Sequence, residues 1–289
     1  MLEIRNVVKT FGKSIRAVDD VTLQLERGVV GLIGHNGAGK TTLMQMIATL
    51  TRPTSGQILF DGRDIVRQPD AIRARLGFLP QDFGVYPNLT ALEFMQYFAA
   101  LKGVRDPARI RHLLEVVNLH EQAQRPAAAF SGGMRRRLGI AQALLNDPDI
   151  LVVDEPTAGL DPEERMRFRN LLAELGFSKL VIMSTHIVSD VESIAGQLAI
   201  MRHGKLIAFE TPQALLDKSR GQIWSATVAL DQYEVLRGQV QVLQAQRQGR
   251  TVSLRIAHAD SPCEGACAAE PSLEEALMAQ RYAVREPSA

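Results

Sequence analysis

Apolar positions along the chain follow three patterns. Val29-Val30-Gly31-Leu32-Ile33, Ile150-Leu151-Val152-Val153 and Leu180-Val181-Ile182-Met183 are nearly unbroken apolar runs, the mark of central strands buried on both faces of a parallel sheet. Over residues 1–27, Leu2, Ile4 and Val7, then Val21, Leu23 and Leu25, are interleaved with polar residues, which predicts half-exposed antiparallel strands. Short strands follow at 57–60 and 76–80, with turns at Pro53-Thr54-Ser55-Gly56 and Asp61-Gly62. From Leu89 the pattern turns helical, with Leu92, Met95, Phe98 and Leu101 on one face, and a second helix runs over about 107–119. These helices, within about 82–147, interrupt an alternating α/β order and read as an inserted helical subdomain. Further on, Leu198–Met201 and Leu206–Phe209 read as strands joined by a turn at His203-Gly204-Lys205, with nothing in that hairpin suggesting chemistry.

Beyond about residue 218 the character changes. Trp224, Ala226 and Val228, then Val252, Leu254 and Ile256, alternate as strands, and Ser272 is placed to cap a final helix through Met278. The expected organisation is an α/β domain over 1–217 and a small accessory αβ domain over 218–289.

The chemistry concentrates at the ends of the apolar runs. After Ile33 comes Gly34-His35-Asn36-Gly37-Ala38-Gly39-Lys40-Thr41-Thr42, which fits G-x-x-x-x-G-K-[ST] between a strand and a helix over 41–50. Glycines at 34, 37 and 39 let the backbone curl so that several N–H groups converge on one anion, an approach that side chains would block. The helix N-terminus adds partial positive charge, Lys40 a full one near the outer phosphates, and the Thr41 hydroxyl a ligand for Mg²⁺. Such a loop binds a nucleoside triphosphate.

Asp154 and Glu155 close the second run, at the strand end where ligands sit in open α/β sheets. Asp154 is suited to hold Mg²⁺, directly or through water, and Glu155 to orient and deprotonate the water that attacks the γ-phosphate. His186, just past the third run, can reach the same edge and donate a hydrogen bond to the γ-phosphate. Phe130-Ser131-Gly132-Gly133-Met134 opens a helix running to about Leu145: a Ser cap and two glycines can make a second anion site, although spacing alone favours a plain Ser-capped helix. Arg135-Arg136-Arg137 point in three directions from that helix and read as a solvated face. Phe11 is expected on a loop, where it either stacks on a nucleobase or closes the strand edge.

Composition narrows the class. The chain has 289 residues, 46% hydrophobic and 22% charged, with a net charge of +1, so bulk electrostatics give no reason to expect nucleic acid as a partner. No apolar run approaches the ~20 residues that span a bilayer and the first residues lack a signal-peptide core, so a cytoplasmic protein is expected. Cys263 and Cys267 are expected to be free thiols; together with His258 they lack an evident fourth metal ligand.

With these elements in this order, the chain resembles the ATP-binding subunits of ABC transporters over about residues 1–215. The glycine-rich loop is shared by many families; Ser131-Gly132-Gly133 shortly before Asp154-Glu155, with Gln81 and His186, is far more specific. Phe130 stands where that family most often has Leu and Phe11 where it often has Tyr, and neither change removes a phosphate ligand. The resemblance implies a P-loop NTPase core of the ABC ATPase type, with an antiparallel β subdomain, the inserted helical subdomain and a C-terminal αβ appendage. It further implies an ATP-bound homodimer packed head to tail, in which Ser131 and Gly133 of one copy face the γ-phosphate held by Lys40 of the other. Phe11 would stack on adenine, Gln81 would link the Mg²⁺ site to the helical subdomain, and Asp161 would lie at the dimer seam. ATP hydrolysis would then drive a separate integral membrane permease, docked on the helical subdomain and the loop after Gln81, from the cytoplasmic face of the membrane.

Pro271-Ser272-Leu273-Glu274-Glu275-Ala276-Leu277 resembles the ending of ABC-2 type ATPases, which serve exporters of drugs, lipids and polysaccharides, although Leu277 replaces the usual Phe. The expectation is export of small amphipathic molecules. An importer subunit is the nearest rival, and a soluble ABC-type ATPase working on ribosomes or DNA a more distant one, disfavoured by the single cassette, the lack of a long coiled-coil insertion and the near-neutral charge.

Overall fold

The unbroken apolar runs lie side by side in the computed structural model, which describes residues 1–12 and 14–283, with side chains of the last helix through Ala279. They are β3 (Gly28–Ile33), β7 (Ile150–Asp154) and β8 (Leu180–Thr185), and with β6 (Leu76–Leu79), β9 (Gln197–Arg202) and β10 (Lys205–Glu210) they form one sheet in the order β10-β9-β3-β8-β7-β6. β9, β3, β8, β7 and β6 run parallel. Their C-terminal ends therefore share one edge of the sheet, and the segments that begin at Gly34, Gln81, Glu155, His186 and His203 all leave from it.

The alternating segment forms β1 (Leu2–Phe11) and β2 (Ile15–Leu25), which with β4 (Ser55–Phe60) and β5 (Arg63–Asp64) build an antiparallel sheet in the order β2-β1-β4-β5. Leu2, Ile4, Val7, Val21, Leu23 and Leu25 are buried in one core with Val30, Leu32, Val152 and Ile182, so both sheets close on α1 (Lys40–Ile47). β1 continues through Phe11, which pairs with Ile15 across the turn. Phe11 thus ends a strand, where a loop position was expected, because ladder pairing extends further than the hydrophobic alternation does.

After α2 (Pro69–Arg73) come the inserted helices α3 (Ala91–Leu101), α4 (Pro107–Val116) and α5 (Gly132–Ala143). Thr90 and Glu93 form a capping box that starts α3. Its buried residues are Ala91, Phe94, Met95 and Ala99, while Leu101 is exposed. The stripe has the predicted direction, but Phe94 and Met95 form its middle with Ala91 and Ala99 at its ends, and Leu92 and Leu101 fall on its two flanks. The arginines of α5 also depart from expectation: only Arg135 is exposed, and Arg137 is buried, donating to the carbonyls of Val117 and Asn118 at 3.0 and 3.1 Å and lying 3.1 Å from Glu164 in α6 (Pro162–Gly176). Three carbonyl and carboxylate oxygens supply what water would otherwise give.

The chain divides into two compact units, Met1–Phe209 and Glu210–Ala289. This boundary precedes 217/218 because α8 (Pro212–Ser219) packs against α10 (Leu273–Ala283) and so belongs to the C-terminal unit. In the second unit β11 (Ile223–Ala229), β12 (Gln241–Gln248), β13 (Thr251–Ala257) and β14 (Cys267–Ala268) order as β12-β13-β11-β14, and α9 (Leu230–Leu236) connects β11 to β12. Ala226, Val228, Val252, Leu254 and Ile256 form its core, as the alternation predicted, whereas Trp224 is only half buried and donates from Nε1 to the His258 carbonyl at 3.0 Å. Ser272 caps α10 reciprocally with Glu275. Among the described residues, no helix is long and apolar enough to cross a membrane.

Candidate functional site

Three glycines shape the loop after β3. A Cβ on Gly34 would lie 2.5 Å from the Met201 carbonyl oxygen, and one on Gly39 would lie 2.3 Å from that of Ala17, so backbone packs directly on backbone at both positions. Gly39 (φ 99°) is the N-cap of α1 and offers no side-chain acceptor, and no acid stands in the first turn. The N–H groups of that turn are left for an anion. Lys40 is buried and donates from Nζ to the Gly34 carbonyl at 2.6 Å, which holds the ammonium over the loop.

The loop walls a cleft of about 600 Å³ that is also lined by Gln81 and Glu155. Glu155 carries φ 46°, a left-handed backbone that an ordinary side chain adopts at a cost of about 1–2 kcal/mol. Its N–H donates to Ser184 Oγ at 2.8 Å, and the same hydroxyl donates to Asp154, which is 1% exposed and lies behind the cleft rather than on its wall. Ser184 thus ties both carboxylate residues to β8. Glu155 Oε2 stands 2.8 Å from His186 Nδ1, while its buried Oε1 has no hydrogen-bond partner and lies 3.7 Å from Lys40 Nζ. A carboxylate oxygen without a donor, beside a cation and facing a cleft, is equipped to accept a proton from water. Burial lowers the Arg136 pKa, with Asp82, Asp154 and Glu155 raising it in opposition, so the charge of the carboxylate pair is felt at Arg136 in α5.

Gln81 is exposed and lines both this cleft and a neighbouring one shared with Gly132, Arg135 and Leu160, next to the inserted helices. Ser131 Oγ accepts from Met134 N–H at 3.2 Å as the cap of α5, and a Cβ on Gly133 would lie 3.0 Å from the Glu164 carboxylate. Ser131 and Gly133 do not line the cleft that holds Lys40. Asp161 caps α6 by accepting from Glu164 N–H at 2.9 Å. Phe11 is 43% exposed beneath Lys9 Nζ, 5.0 Å from its ring centroid, and its cross-strand partner Ile15 lines the cleft.

Arg16, Ala17 and His203 also line the cleft, and His203 sets its ring against that of His35 at 5.3 Å. None was anticipated. Packing of the β2 backbone at Ala17 against Gly39 and the position of the β9–β10 turn on the shared edge bring them there, and no local pattern announces either. Thr41 and Gln81 line the cleft and can each offer an oxygen to Mg²⁺, whereas Asp154, behind the wall, would reach the ion through water.

A family model described as "ABC transporter" matches residues 18–158. The ABC transporter ATP-binding protein NatA of Bacillus subtilis (strain 168) is 38% identical over 216 residues, covering 73% of this chain and 88% of NatA. The Nod factor export ATP-binding protein I of Cupriavidus metallidurans is 36% identical over 76% of this chain and 74% of its own length; the methionine import ATP-binding protein MetN of Corynebacterium efficiens is 38% identical over 72% and 62%. Among solved structures, a dimeric bacterial ABC transporter cassette superposes with a TM-score of 0.67 at 28% identity, covering 73% of this chain and 98% of the cassette. The same cassette in a dimeric post-hydrolysis state bound to ADP and Pi gives 0.66 over the same shares, also at 28% identity.

Proposed function

The chain belongs to the ABC transporter family and is an ATP-hydrolysing cassette, and from that premise we propose that it powers export of small amphipathic molecules or drugs through a separate integral membrane permease. It works as a head-to-tail homodimer, peripheral at the cytoplasmic face. The observation that carries this reading is that Lys40 and Glu155 line one cleft, with His186 held against Glu155, whereas Ser131 and Gly133 do not line it. Each copy therefore lacks something that a second copy presents.

In this reading the Lys40 ammonium and the N–H groups at the start of α1 bind the phosphates. Ser131 and Gly133 of the partner close on the γ-phosphate from the other side, with Asp161 at the seam and Phe11 against the adenine. Glu155 accepts the proton of the attacking water, and His186 fixes the Glu155 carboxylate. Thr41, Gln81 and Asp154 would hold Mg²⁺, which would neutralise charge developing on the phosphates. Hydrolysis removes the γ-phosphate contacts and the copies part. Gln81, placed between the cleft and the inserted helices, passes that change to the permease.

MetN supports an importer as the second reading. Co-purification from detergent-solubilised membranes tests the proposal. The expected result is a stoichiometric membrane protein, with ATP-dependent accumulation of an amphipathic dye in inside-out vesicles carrying both. Ribosomal material in place of a membrane protein would overturn transport altogether, and dye movement only in the inward direction would favour import.

A further inference from the structure

The buried carboxylate of Asp190 takes no part in binding phosphate or metal. Asp190 lies in α7 (Val188–Glu192), just beyond His186, and is 0% exposed. Its Oδ2 accepts from the Thr157 hydroxyl, itself 0% exposed, and its Oδ1 has no hydrogen-bond partner and lies 3.8 Å from Arg165 Nε in α6. Burying a carboxylate is unfavourable unless its surroundings use it. Here it joins two segments with a common task, because Thr157 stands two residues after Glu155 and Asp190 four after His186.

The backbone between them explains what the junction does. Glu155 is held in the left-handed region at φ 46°, a conformation that persists only where neighbouring structure fixes it on both sides. On the N-terminal side Ser184 holds the Glu155 N–H. On the C-terminal side the backbone bond from Ala158 N–H to the Glu155 carbonyl is long, at 3.3 Å, and the firm anchor is the Thr157–Asp190 hydrogen bond. Without it that side would be held only by this long bond and by the Leu160 N–H to Thr157 carbonyl bond at 3.2 Å.

We propose that Asp190 is a positioning residue for ATP hydrolysis, holding Thr157 so that Glu155 keeps its left-handed backbone and its contact with His186. The inference rests on the reading of Glu155 as the proton acceptor. Steady-state ATPase kinetics of the full chain test it with Asp190→Ala, Thr157→Val, the double variant and Thr157→Ser, run beside Glu155→Gln. Asp190→Ala and Thr157→Val are each expected to lower kcat by at least about tenfold while the KM for ATP stays within about twofold, since a small misplacement of a reacting group is felt in the chemical step. The double variant falls no further than the worse single one, and Thr157→Ser restores most of the rate. Wild-type kcat in Thr157→Val, with Glu155→Gln inactive, overturns the positioning role alone. Wild-type kcat in Glu155→Gln overturns the proton-acceptor reading and this inference with it. A kcat loss matched by lost ATP affinity and not rescued by Thr157→Ser reduces the pair to scaffolding and also overturns it. Should Asp190→Ala not fold, Thr157→Val, which preserves shape, decides between the same outcomes.

Discussion

His186 Nδ1 stands 2.8 Å from Glu155 Oε2, joining the segments that leave two neighbouring parallel strands. A carboxylate only accepts, so Nδ1 is the protonated ring nitrogen in this contact. Nε2 is then free to donate to a phosphate only when the ring is an imidazolium. The expected His186–phosphate bond and the observed His186–Glu155 bond therefore require a doubly protonated ring if they coexist. Otherwise His186 serves mainly to orient the carboxylate.

Glu155→Gln separates holding from chemistry. The amide oxygen can still accept from Nδ1–H, so the ring keeps its place, but an amide cannot take a proton from water. ATP affinity is expected within a few fold of wild type, with turnover lowered by about 10²–10⁴-fold, and the ATP-bound dimer should persist on size-exclusion chromatography. Unaltered turnover in a monomer would remove Glu155 from its role.

Lys40→Ala deletes the ammonium that donates to the Gly34 carbonyl at 2.6 Å and lies 3.7 Å from Glu155 Oε1. Both the phosphate charge partner and a tie within the loop disappear. Equilibrium binding of a fluorescent ATP analogue should fall below detection, and because the lost ammonium is buried beside Glu155, the midpoint of thermal unfolding without nucleotide should fall as well, with circular dichroism confirming that the variant is folded at the assay temperature. Retained nucleotide affinity would contradict the cradle assignment.

Much of this site is legible in the sequence because its parts are contiguous or sit at the ends of apolar runs. Gly34 to Thr42 and Asp154-Glu155 each combine a strand signal with adjoining chemistry. The parts that stay hidden depend on register between distant segments. His203 is an ordinary turn residue until β9 is placed beside β3, and Arg16 and Ala17 reach the cleft only once the β2 backbone packs against Gly39. Arg137 reads as solvated because helical geometry alone cannot show that Val117, Asn118 and Glu164 wait opposite it. Phe11 shows the reverse case, since its aromatic ring is exposed while its secondary structure, a strand end, differs from the loop expected.

Lys102, at the end of α3, provides a pH test of the helical subdomain. Its Nζ donates to Asn146 Oδ1 at 2.9 Å and the Gln142 carbonyl at 3.2 Å, and burial lowers its pKa from 10.5 to about 8. Below the lower value the lysine is charged in folded and unfolded chains alike, and above the higher it is neutral in both. Between them the unfolded chain binds the extra proton, so folding stability rises with pH across that window. The full shift corresponds to at most about 3 kcal/mol, lessened by partial solvent access. Urea denaturation of wild type and Lys102→Met should show the variant's relative advantage shrinking between about pH 8 and pH 10. A difference that is flat with pH would mean that the ammonium is not desolvated.

The shared-site arrangement is tested by mixing damaged copies. Ser131→Arg places bulk and charge at the exposed cap of α5 without touching the cleft of the same chain, and Lys40→Ala disables that cleft while leaving the cap intact. In a head-to-tail pair, a heterodimer of the two has one pocket with both defects and one with neither, so mixing should restore ATPase activity that neither variant shows alone. With random pairing of equal amounts, half the dimers are mixed and each carries one sound pocket, so about a quarter of wild-type activity is the ceiling if pockets act independently. If the pockets must fire together, recovery falls below that ceiling while ATP still drives association of the mixture. Full activity of Ser131→Arg by itself would show that each cleft is complete within one chain, and the separation of Ser131 from Lys40 would then have no catalytic meaning.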